Sequence, residues 1–276
     1  MSEERTRRGR GRPRDKQRQP DTIQALDRGL AVFALVAREG KCTLTELAAT
    51  AGMAPSTLHR TLETLRVHGM VEFDGYRQAW SIGAEAFRIG QGYTRQASYL
   101  EAARILMRRL VAQTGESASV AALEGHELVY VSQIETQAPI RAFIPPGTRG
   151  FLQATGIGKA LLAYMPDTAC RELLQARPVP AFTQHTQTDM ERLLSELETI
   201  RARGWALDDE ERYLGMRCLA APVFNEFGEA IAGLSISGPT ARLGVSEINR
   251  YGPVVRAAAD EVTARIGGRL PDEPED

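Results

Sequence analysis

Residues 43–65 read TLTELAATAGMAPSTLHRTLETL, and this stretch decides the fold of the first part of the chain. Thr43 with Glu46 three residues later is typical of a capping box, so a helix begins here. Gly52 permits a sharp backbone turn, and Pro55 fits the first turn of a following helix, where a missing N–H costs nothing. Leucines recur every three to four residues in that helix and give it one buried face. Two short helices joined by a tight glycine turn are typical of a helix-turn-helix.

The outward side of the second helix indicates what it contacts. It carries short hydrogen-bonding side chains and one guanidinium, which suit phosphates and base edges in a DNA major groove. The predicted DNA contacts are Ser56, Thr57, His59, Arg60 and Thr64. A three-helix protein-interaction module is the alternative, but it would not need these polar side chains.

The sequence on either side completes a winged helix. Over residues 23–38 the apolar residues recur at a spacing of three to four, which predicts a helix with one buried face. That face consists of Ile23, Leu26, Leu30, Phe33, Leu35 and Val36. Further on, apolar runs at 70–73 and 79–82 flank a polar turn containing Gly75, which predicts a hairpin or wing. We therefore predict a winged helix over residues 21–83.

The charges of the chain are unevenly distributed. The formal net charge is −1, yet residues 1–20 hold eight basic and three acidic side chains. Such a basic arm is attracted to a polyanion, or else it is a solvated tail. Within it, Arg10-Gly11-Arg12-Pro13 resembles an AT-hook, so Arg10 and Arg12 are predicted to insert into the minor groove of A/T-rich DNA. The alternative for this arm is contact with phosphates only.

Composition limits the remaining possibilities. A length of 276 residues suits two domains, and 43% hydrophobic with 25% charged residues is typical of a globular protein with a real core. Three scattered cysteines favour neither a disulfide framework nor a zinc site, so no bound metal is expected. The sequence shows no run apolar enough for a membrane span or a secretory signal. We therefore expect a cytoplasmic protein without membrane association.

The last two-thirds of the chain mixes strand and helix patterns, which predicts an α+β sensor-like domain. Helical patterns at 84–113 predict linker helices suited to dimer contacts, the domain itself spans 114–269, and 270–276 form an acidic tail. Predicted strands are 117–123, 128–134, 139–144, 218–224 and 230–237; predicted helices are 156–164, 167–174, 189–203 and 246–266.

Glycines at the start of the helix at 156–164 are the first feature that could bind a ligand. Exposed N–H groups at a helix start can hold an anion such as a carboxylate. The segment is not a phosphate-binding P-loop, because Gln153 stands where the first glycine must be and Ala160 replaces the required hydroxyl. It is not a dinucleotide fingerprint either, because Leu161 occupies the third glycine position. No cofactor is therefore predicted.

Two further features are an acidic run at 208–211 followed by Cys218, and Ser235 with Ser237 on one strand face. An acidic run is usually a solvated face, and alternating serines are usually ordinary strand residues. Cys218 could be the nucleophile of a thiol-dependent hydrolase, but that role needs a low-pKa thiolate and a positioned histidine. The four histidines show no catalytic spacing, so a buried or liganding thiol is favoured.

Five blocks, in this order, carry a family resemblance. They are QALDRGL at 24–30, PSTLHR at 55–60, TGIGKA at 155–160, DDEERYLGMRC at 208–218 and LSISGP at 234–239. Together they resemble the IclR-type bacterial transcriptional regulators. The resemblance implies an N-terminal winged helix, a linker helix and a C-terminal effector domain of GAF-like fold. It also implies a homodimer or a dimer of dimers bound to palindromic double-stranded operators.

The resemblance further implies an effector and its contacts. Relatives with a similar acidic block take a small 2-oxo acid such as glyoxylate or pyruvate, at positions corresponding to Gly156, Ile157, Asp208, Cys218, Ser235 and Ser237. Asp208 would accept from a hydrated aldehyde or orient the serines. We therefore expect a regulator of a metabolic operon whose DNA binding responds to a small carboxylate, rather than an enzyme. A thiol-dependent hydrolase using Cys218 and a protein-interaction hub are the alternatives.

Overall fold

The computed structural model describes residues 22–96, 99–176 and 180–271. The chain divides into two compact units, the first ending at residue 93 and the second beginning at residue 94. In these described ranges no helix is both long enough and apolar enough to cross a membrane.

The first unit is a winged helix, as predicted. Its three-stranded antiparallel sheet has the order β1-β3-β2 and packs with three helices around a core that includes Val36, Leu47, Leu58, Leu62 and Trp80. The elements are α1 Gln24–Glu39, β1 Cys42–Thr43, α2 Leu44–Ala51, α3 Pro55–Val67, β2 Val71–Asp74 and β3 Ala79–Ile82.

The turn between α2 and α3 has the predicted local geometry. Thr43 Oγ1 accepts the N–H of Glu46, and the Glu46 carboxylate accepts the N–H of Thr43 at 2.8 Å, which completes the capping box. Gly52 ends α2 with a φ of 61°, a left-handed conformation that favours glycine. Pro55 is in the first turn of α3. These local signals therefore fix the angle at which α3 leaves α2.

The predicted buried face of α1 is wrong in its first half. Val32, Leu35 and Val36 are buried, whereas Ile23 and Leu30 expose 71% and 58% of their surface. Leu26 is exposed in the same way. The core of this unit meets only the second half of the helix. Periodicity identifies an apolar face but does not identify what covers it.

The second unit is α+β, as predicted. All neighbouring strands of its six-stranded sheet are antiparallel, and the strand order is β6-β5-β4-β9-β8-β7. Helix α4, Ala84–Gln96, begins in the first unit. The later elements are α5 Tyr99–Thr114, β4 Ser117–Glu124, β5 Glu127–Ile134, β6 Arg149–Gly150, α6 Gly156–Leu162, α7 Asp167–Ala176, α8 Met190–Arg203, β7 Ala206–Asp209, β8 Met216–Phe224, β9 Ala230–Pro239 and α9 Val245–Arg265.

The strand predicted at 139–144 is wrong. The third strand is instead β6, which pairs with β5. Pro139 has no N–H to donate to a ladder, and the N–H of Ile144 donates to the Gln133 side chain at 2.9 Å rather than to a strand. The acidic run also differs from its usual solvated form, because its first two residues lie in β7.

The two faces of this sheet have different neighbours. One face packs against α5 and α9 through an aliphatic cluster that includes Leu106, Leu110, Leu234 and Ile236. Helix α5, predicted within the linker, is thus also part of this core. The opposite face packs against α6, which in turn packs against α8. The polar residues singled out in the sequence lie on this second face.

Candidate functional site

The outward face of α3 is polar and accessible. Leu58 and Leu62 are fully buried on its inner side. The five predicted DNA contacts, Ser56, Thr57, His59, Arg60 and Thr64, are all exposed. Their placement on one helix face is therefore as expected, while their contact with DNA stays a prediction. Arg10 and Arg12 lie outside the described residues.

These five side chains differ in whether other groups of the protein already contact them. The Thr64 hydroxyl donates to the Arg60 carbonyl at 2.9 Å, and the His59 ring lies edge-on to Trp80 at 6.2 Å between centroids. Within the described part of the chain, the guanidinium of Arg60 has no hydrogen-bond or ion-pair partner, whereas Arg66 on the same helix pairs with Glu63 at 2.8 Å. Arg60 is therefore available to an incoming phosphate or base.

Strand register assembles the candidate effector site in the second unit. Asp208 of β7 lies opposite Cys218 of β8, and Cys218 lies opposite Ser237 of β9. Ser235 is two residues earlier on β9, on the same face. Four residues that are far apart in sequence thus meet on one patch of the sheet.

The start of α6 closes over this patch. A Cβ placed on Gly156 would lie only 2.9 Å from Cys218 Sγ and 3.1 Å from the Cys218 carbonyl oxygen, so glycine is what allows the backbone to approach this closely. Ile157, next in sequence, is fully buried. The structure therefore brings all six predicted effector contacts together.

The carboxyl group of Asp208 is in an unusual electrostatic environment. Its side chain is 8% exposed. Burial and the nearby Glu211 carboxylate raise its pKa to about 7, although Lys159 and backbone N–H groups oppose the rise. Asp208 is thus poised to be neutral or charged near physiological pH.

The pKa of the Cys218 thiol is shifted in the opposite direction from that of a catalytic nucleophile. Burial and the charge of Asp208 raise its pKa to about 11, while the nearby hydroxyls of Ser237 and Ser235 and the N–H of Gly156 lower it by less. A nucleophilic cysteine needs a lowered pKa. At neutral pH this thiol remains protonated and acts as a weak donor, so the site geometry gives the hydrolase alternative no support.

Two buried polar atoms here, Ser235 Oγ and Glu211 Oε2, have no hydrogen-bond partner among the described residues. Ser235 Oγ is buried and lies close enough to the Cys218 thiol to affect its pKa, but no atom in the described part of the chain meets hydrogen-bond geometry with it. A buried hydroxyl without a partner costs free energy, typically about 1–3 kcal/mol. Such a group is expected where a ligand supplies the missing partner.

Lys159 is a residue of this site that the sequence did not single out. It is fully buried and forms ion pairs with Glu211 and Glu196. Burial lowers its pKa, but the two carboxylates outweigh that effect and raise it, so the amine stays charged. The Glu211 N–H donates to Asp208 Oδ1 at 2.8 Å, so Lys159 secures the loop beside Asp208. The only signal was a lysine within an apolar helix, which did not reveal its partners.

Comparison with known proteins identifies the architecture. Residues 25–75 match the IclR helix-turn-helix domain, and residues 91–264 match the family described as bacterial transcriptional regulator IclR C-terminal. The chain belongs to the IclR family. The IclR-type resemblance in the sequence is thereby confirmed.

Full-length relatives agree with this assignment. The HTH-type transcriptional regulator BhcR of Paracoccus denitrificans is 46% identical over 267 residues, covering 95% of this chain and 96% of the relative. The transcriptional repressor IclR of Escherichia coli is 36% identical over 249 residues, covering 89% and 91%. The crystal structure of Thermotoga maritima IclR has a TM-score of 0.76 at 26% identity and covers 88% of this chain and 99% of that one.

This IclR-family chain is therefore a DNA-binding transcriptional regulator and not an enzyme, since the matched families and relatives are regulators. The family also implies operator DNA as a partner and association between subunits.

Proposed function

We propose that this IclR-family regulator senses a small carboxylate, glyoxylate or a related 2-oxo acid, and that binding changes its affinity for the operator of a metabolic operon. The observation that carries the proposal is the line of Asp208, Cys218 and Ser237 across three strands, beside the unsatisfied hydroxyl of Ser235. A small molecule rich in oxygen atoms would satisfy this patch, whereas an apolar one would not.

In the proposed complex the donors of the site surround the effector carboxylate. The N–H groups of Gly156 and Ile157 point from the start of α6, and the serine hydroxyls and the Cys218 thiol supply further donors. Asp208 donates when protonated and accepts from a hydrated aldehyde when ionised. Its raised pKa removes much of the repulsion that an ordinary aspartate would exert on an anion.

On the DNA side, α3 enters the major groove through Ser56, Thr57, His59, Arg60 and Thr64. The basic arm, residues 1–20, adds salt-dependent affinity, with Arg10 and Arg12 in the minor groove. The linker at 84–113 connects the winged helix at 21–83 to the effector domain at 114–269, which ends in the acidic tail at 270–276.

We further propose a homodimer or a dimer of dimers on a palindromic operator. Apolar side chains that a single chain leaves exposed support subunit contacts, because such patches mark interaction surfaces. They are Ile23, which precedes α1, Leu26 and Leu30 on α1, and Phe87 and Ile89 on α4. Effector binding alters DNA affinity only if it favours one of two arrangements of the paired DNA-binding domains.

The DNA contacts are tested by fluorescence anisotropy with labelled duplexes from the chain's own genomic neighbourhood. Arg60→Ala is expected to weaken operator binding about tenfold to a hundredfold if Arg60 reads a base. Arg66→Ala is the matched control, because Arg66 lies on the same helix but is held by Glu63. Equal losses in both variants would contradict the assignment of Arg60. Deleting residues 1–19 should flatten the salt dependence, and an unchanged slope would remove the arm from the interface.

The effector class is tested by isothermal titration with glyoxylate, pyruvate and benzoate. Binding of one of the 2-oxo acids supports the proposal, and binding of benzoate alone refutes it.

A further inference from the structure

Arg212 carries a positive charge beside the candidate effector site, and the described part of the chain provides no counter-charge for it. Its guanidinium carbon lies 3.8 Å from the centre of the Phe182 ring, 5.1 Å from that of Tyr213 and 5.9 Å from that of Phe151. Among the described residues no carboxylate lies within ion-pair distance of it, and no carbonyl accepts from it. The guanidinium is thus held by aromatic faces, with its N–H donors unused.

Other half-buried arginines of the same unit are satisfied. Arg217 pairs with Asp209 and also donates to a backbone carbonyl, Arg203 donates to the Trp205 carbonyl, and Arg201 donates to the Ala163 carbonyl. A half-buried guanidinium normally finds such acceptors because leaving its donors unpaired costs free energy. The missing acceptor at Arg212 therefore points to a ligand.

The location of Arg212 ties it to the candidate effector site. It follows Glu211, whose N–H donates to Asp208 Oδ1 at 2.8 Å. Phe151, one of its aromatic neighbours, lies just before the segment that leads into α6. Cys218, Asp208 and Arg212 also all act on the pKa of Tyr130: burial raises it, Cys218 and Asp208 add to the rise, and Arg212 opposes it. Arg212 thus shares the neighbourhood of Asp208 and Cys218.

The loop that carries Arg212 is held on both sides. The hydroxyls of Thr183 and Thr186 each donate at 2.7 Å to the carbonyls of Glu210 and Glu211, respectively. The buried ammonium of Lys159 fixes the Glu211 side chain. Backbone and aromatic contacts therefore orient the guanidinium before any ligand arrives, which reduces the entropy lost on binding.

We infer that Arg212 binds an anionic group at the outer end of the effector, so that the site prefers short 2-oxo dicarboxylates to 2-oxo monocarboxylates. A planar guanidinium matches a carboxylate through two parallel N–H···O bonds, and a flat aromatic backing keeps it in that orientation. The inner carboxylate is held near Gly156 and Ser235, and the outer one by Arg212. This inference rests on the proposed function, since it assigns the far end of the same ligand.

The test compares two ligands that differ by one carboxylate. Oxaloacetate is pyruvate with a carboxylate in place of one methyl hydrogen, and freshly prepared solutions of each are titrated calorimetrically into the full-length chain. The wild type is expected to bind oxaloacetate about tenfold tighter than pyruvate. Arg212→Gln should abolish that preference while changing pyruvate affinity little. Arg212→Lys should retain only part of the preference, because an ammonium keeps the positive charge but cannot form two parallel hydrogen bonds to a carboxylate.

Arg250→Gln is the matched control, because Arg250 also lies over an aromatic ring, Tyr251 at 5.4 Å, but on α9. Thermal unfolding of each variant shows whether the protein remains folded. The inference is overturned if the wild type prefers pyruvate, or if Arg212→Gln affects both ligands equally or neither. Absence of binding by both acids would also overturn the inference, and absence of glyoxylate binding as well would refute the proposed function.

Discussion

The two faces of the six-stranded sheet are nearly equally buried but chemically opposite. Strand β9 reads Leu-Ser-Ile-Ser over residues 234–237, and each of the four side chains is at most 6% exposed. Leu234 and Ile236 join the aliphatic cluster against α5 and α9, while Ser235 and Ser237 face α6 beside Cys218. Burial of aliphatic carbon stabilises a fold, whereas burial of hydroxyls does so only when they are bonded. The proposed effector site therefore accounts for serines on this face, which add little to stability.

The largest expected effect lies on the aliphatic face. Leu234→Ala removes a fully buried side chain and should lower the free energy of unfolding by about 2–5 kcal/mol, because it leaves a cavity. Chemical denaturation measures the loss. Effector affinity of the protein that remains folded should change little. A loss of effector binding without a loss of stability would contradict the assignment of stability to the aliphatic face and of ligand binding to the polar face.

The next largest effect is expected on the polar face, where Gly156→Ala should weaken effector binding. The new Cβ would lie 2.9 Å from Cys218 Sγ, so the start of α6 must move away from β8. We expect effector affinity, measured by calorimetry, to fall by about tenfold or more, because the N–H donors are displaced from the carboxylate. Gly90→Ala is the control, since a Cβ at that position has nothing within 4 Å. Wild-type affinity in Gly156→Ala would exclude the start of α6 from the site.

Ser235→Ala tests the polar face of β9, the strand that carries Leu234 on its aliphatic face. The free energy of unfolding should change by less than about 1 kcal/mol or even rise, because the variant removes an unsatisfied buried hydroxyl. Effector affinity, by contrast, should fall. Denaturation and calorimetry on the same preparation separate the two outcomes. Marked destabilisation with unchanged effector binding would show that the hydroxyl is structural.

The last test of the polar face is the pH dependence of stability caused by Asp208. Its pKa rises from 3.8 to about 7 on folding, so the folded chain binds this proton more tightly than the unfolded chain does. The resulting stability is present below the unfolded pKa and is lost as the pH rises through about 7. Asp208→Asn should therefore be more stable than the wild type at about pH 8 and should lose that advantage at about pH 4.

Thermal unfolding at both pH values checks this prediction. Asp209→Asn is the control, because Asp209 is an exposed neighbour whose ion pair with Arg217 contributes little. A pH-independent difference between Asp208→Asn and the wild type would show that Asp208 is not the titrating group.

Local signals made much of this fold predictable from sequence. Thr43, Glu46 and Gly52 fix the helix-turn-helix by contacts within a few residues, and the alternation in β9 identifies its two faces. The site was harder. The family blocks named Asp208 and Cys218, but the Lys159 ion pairs join residues up to 52 positions apart, and no pattern in the sequence announces them.

Two errors have a similar cause. The segment at 139–144 has strand-like residues, but its side-chain contact with Gln133 replaces the ladder. The first half of α1 has an apolar face, yet the described residues leave it exposed. In both cases contacts beyond the segment itself, present or missing, decide the outcome, and local pattern does not encode them.

The most direct test measures operator affinity with and without an oxo acid. Labelled promoter duplexes are titrated with the wild type and with Ser235→Ala, in the absence and presence of glyoxylate, pyruvate or oxaloacetate. At least one acid is expected to shift the wild-type Kd, and Ser235→Ala is expected to bind the same duplex with a weaker shift or none. If no acid changes the wild-type Kd, or if the wild type does not bind these duplexes even at low salt, then a small oxo acid does not control operator binding by this protein.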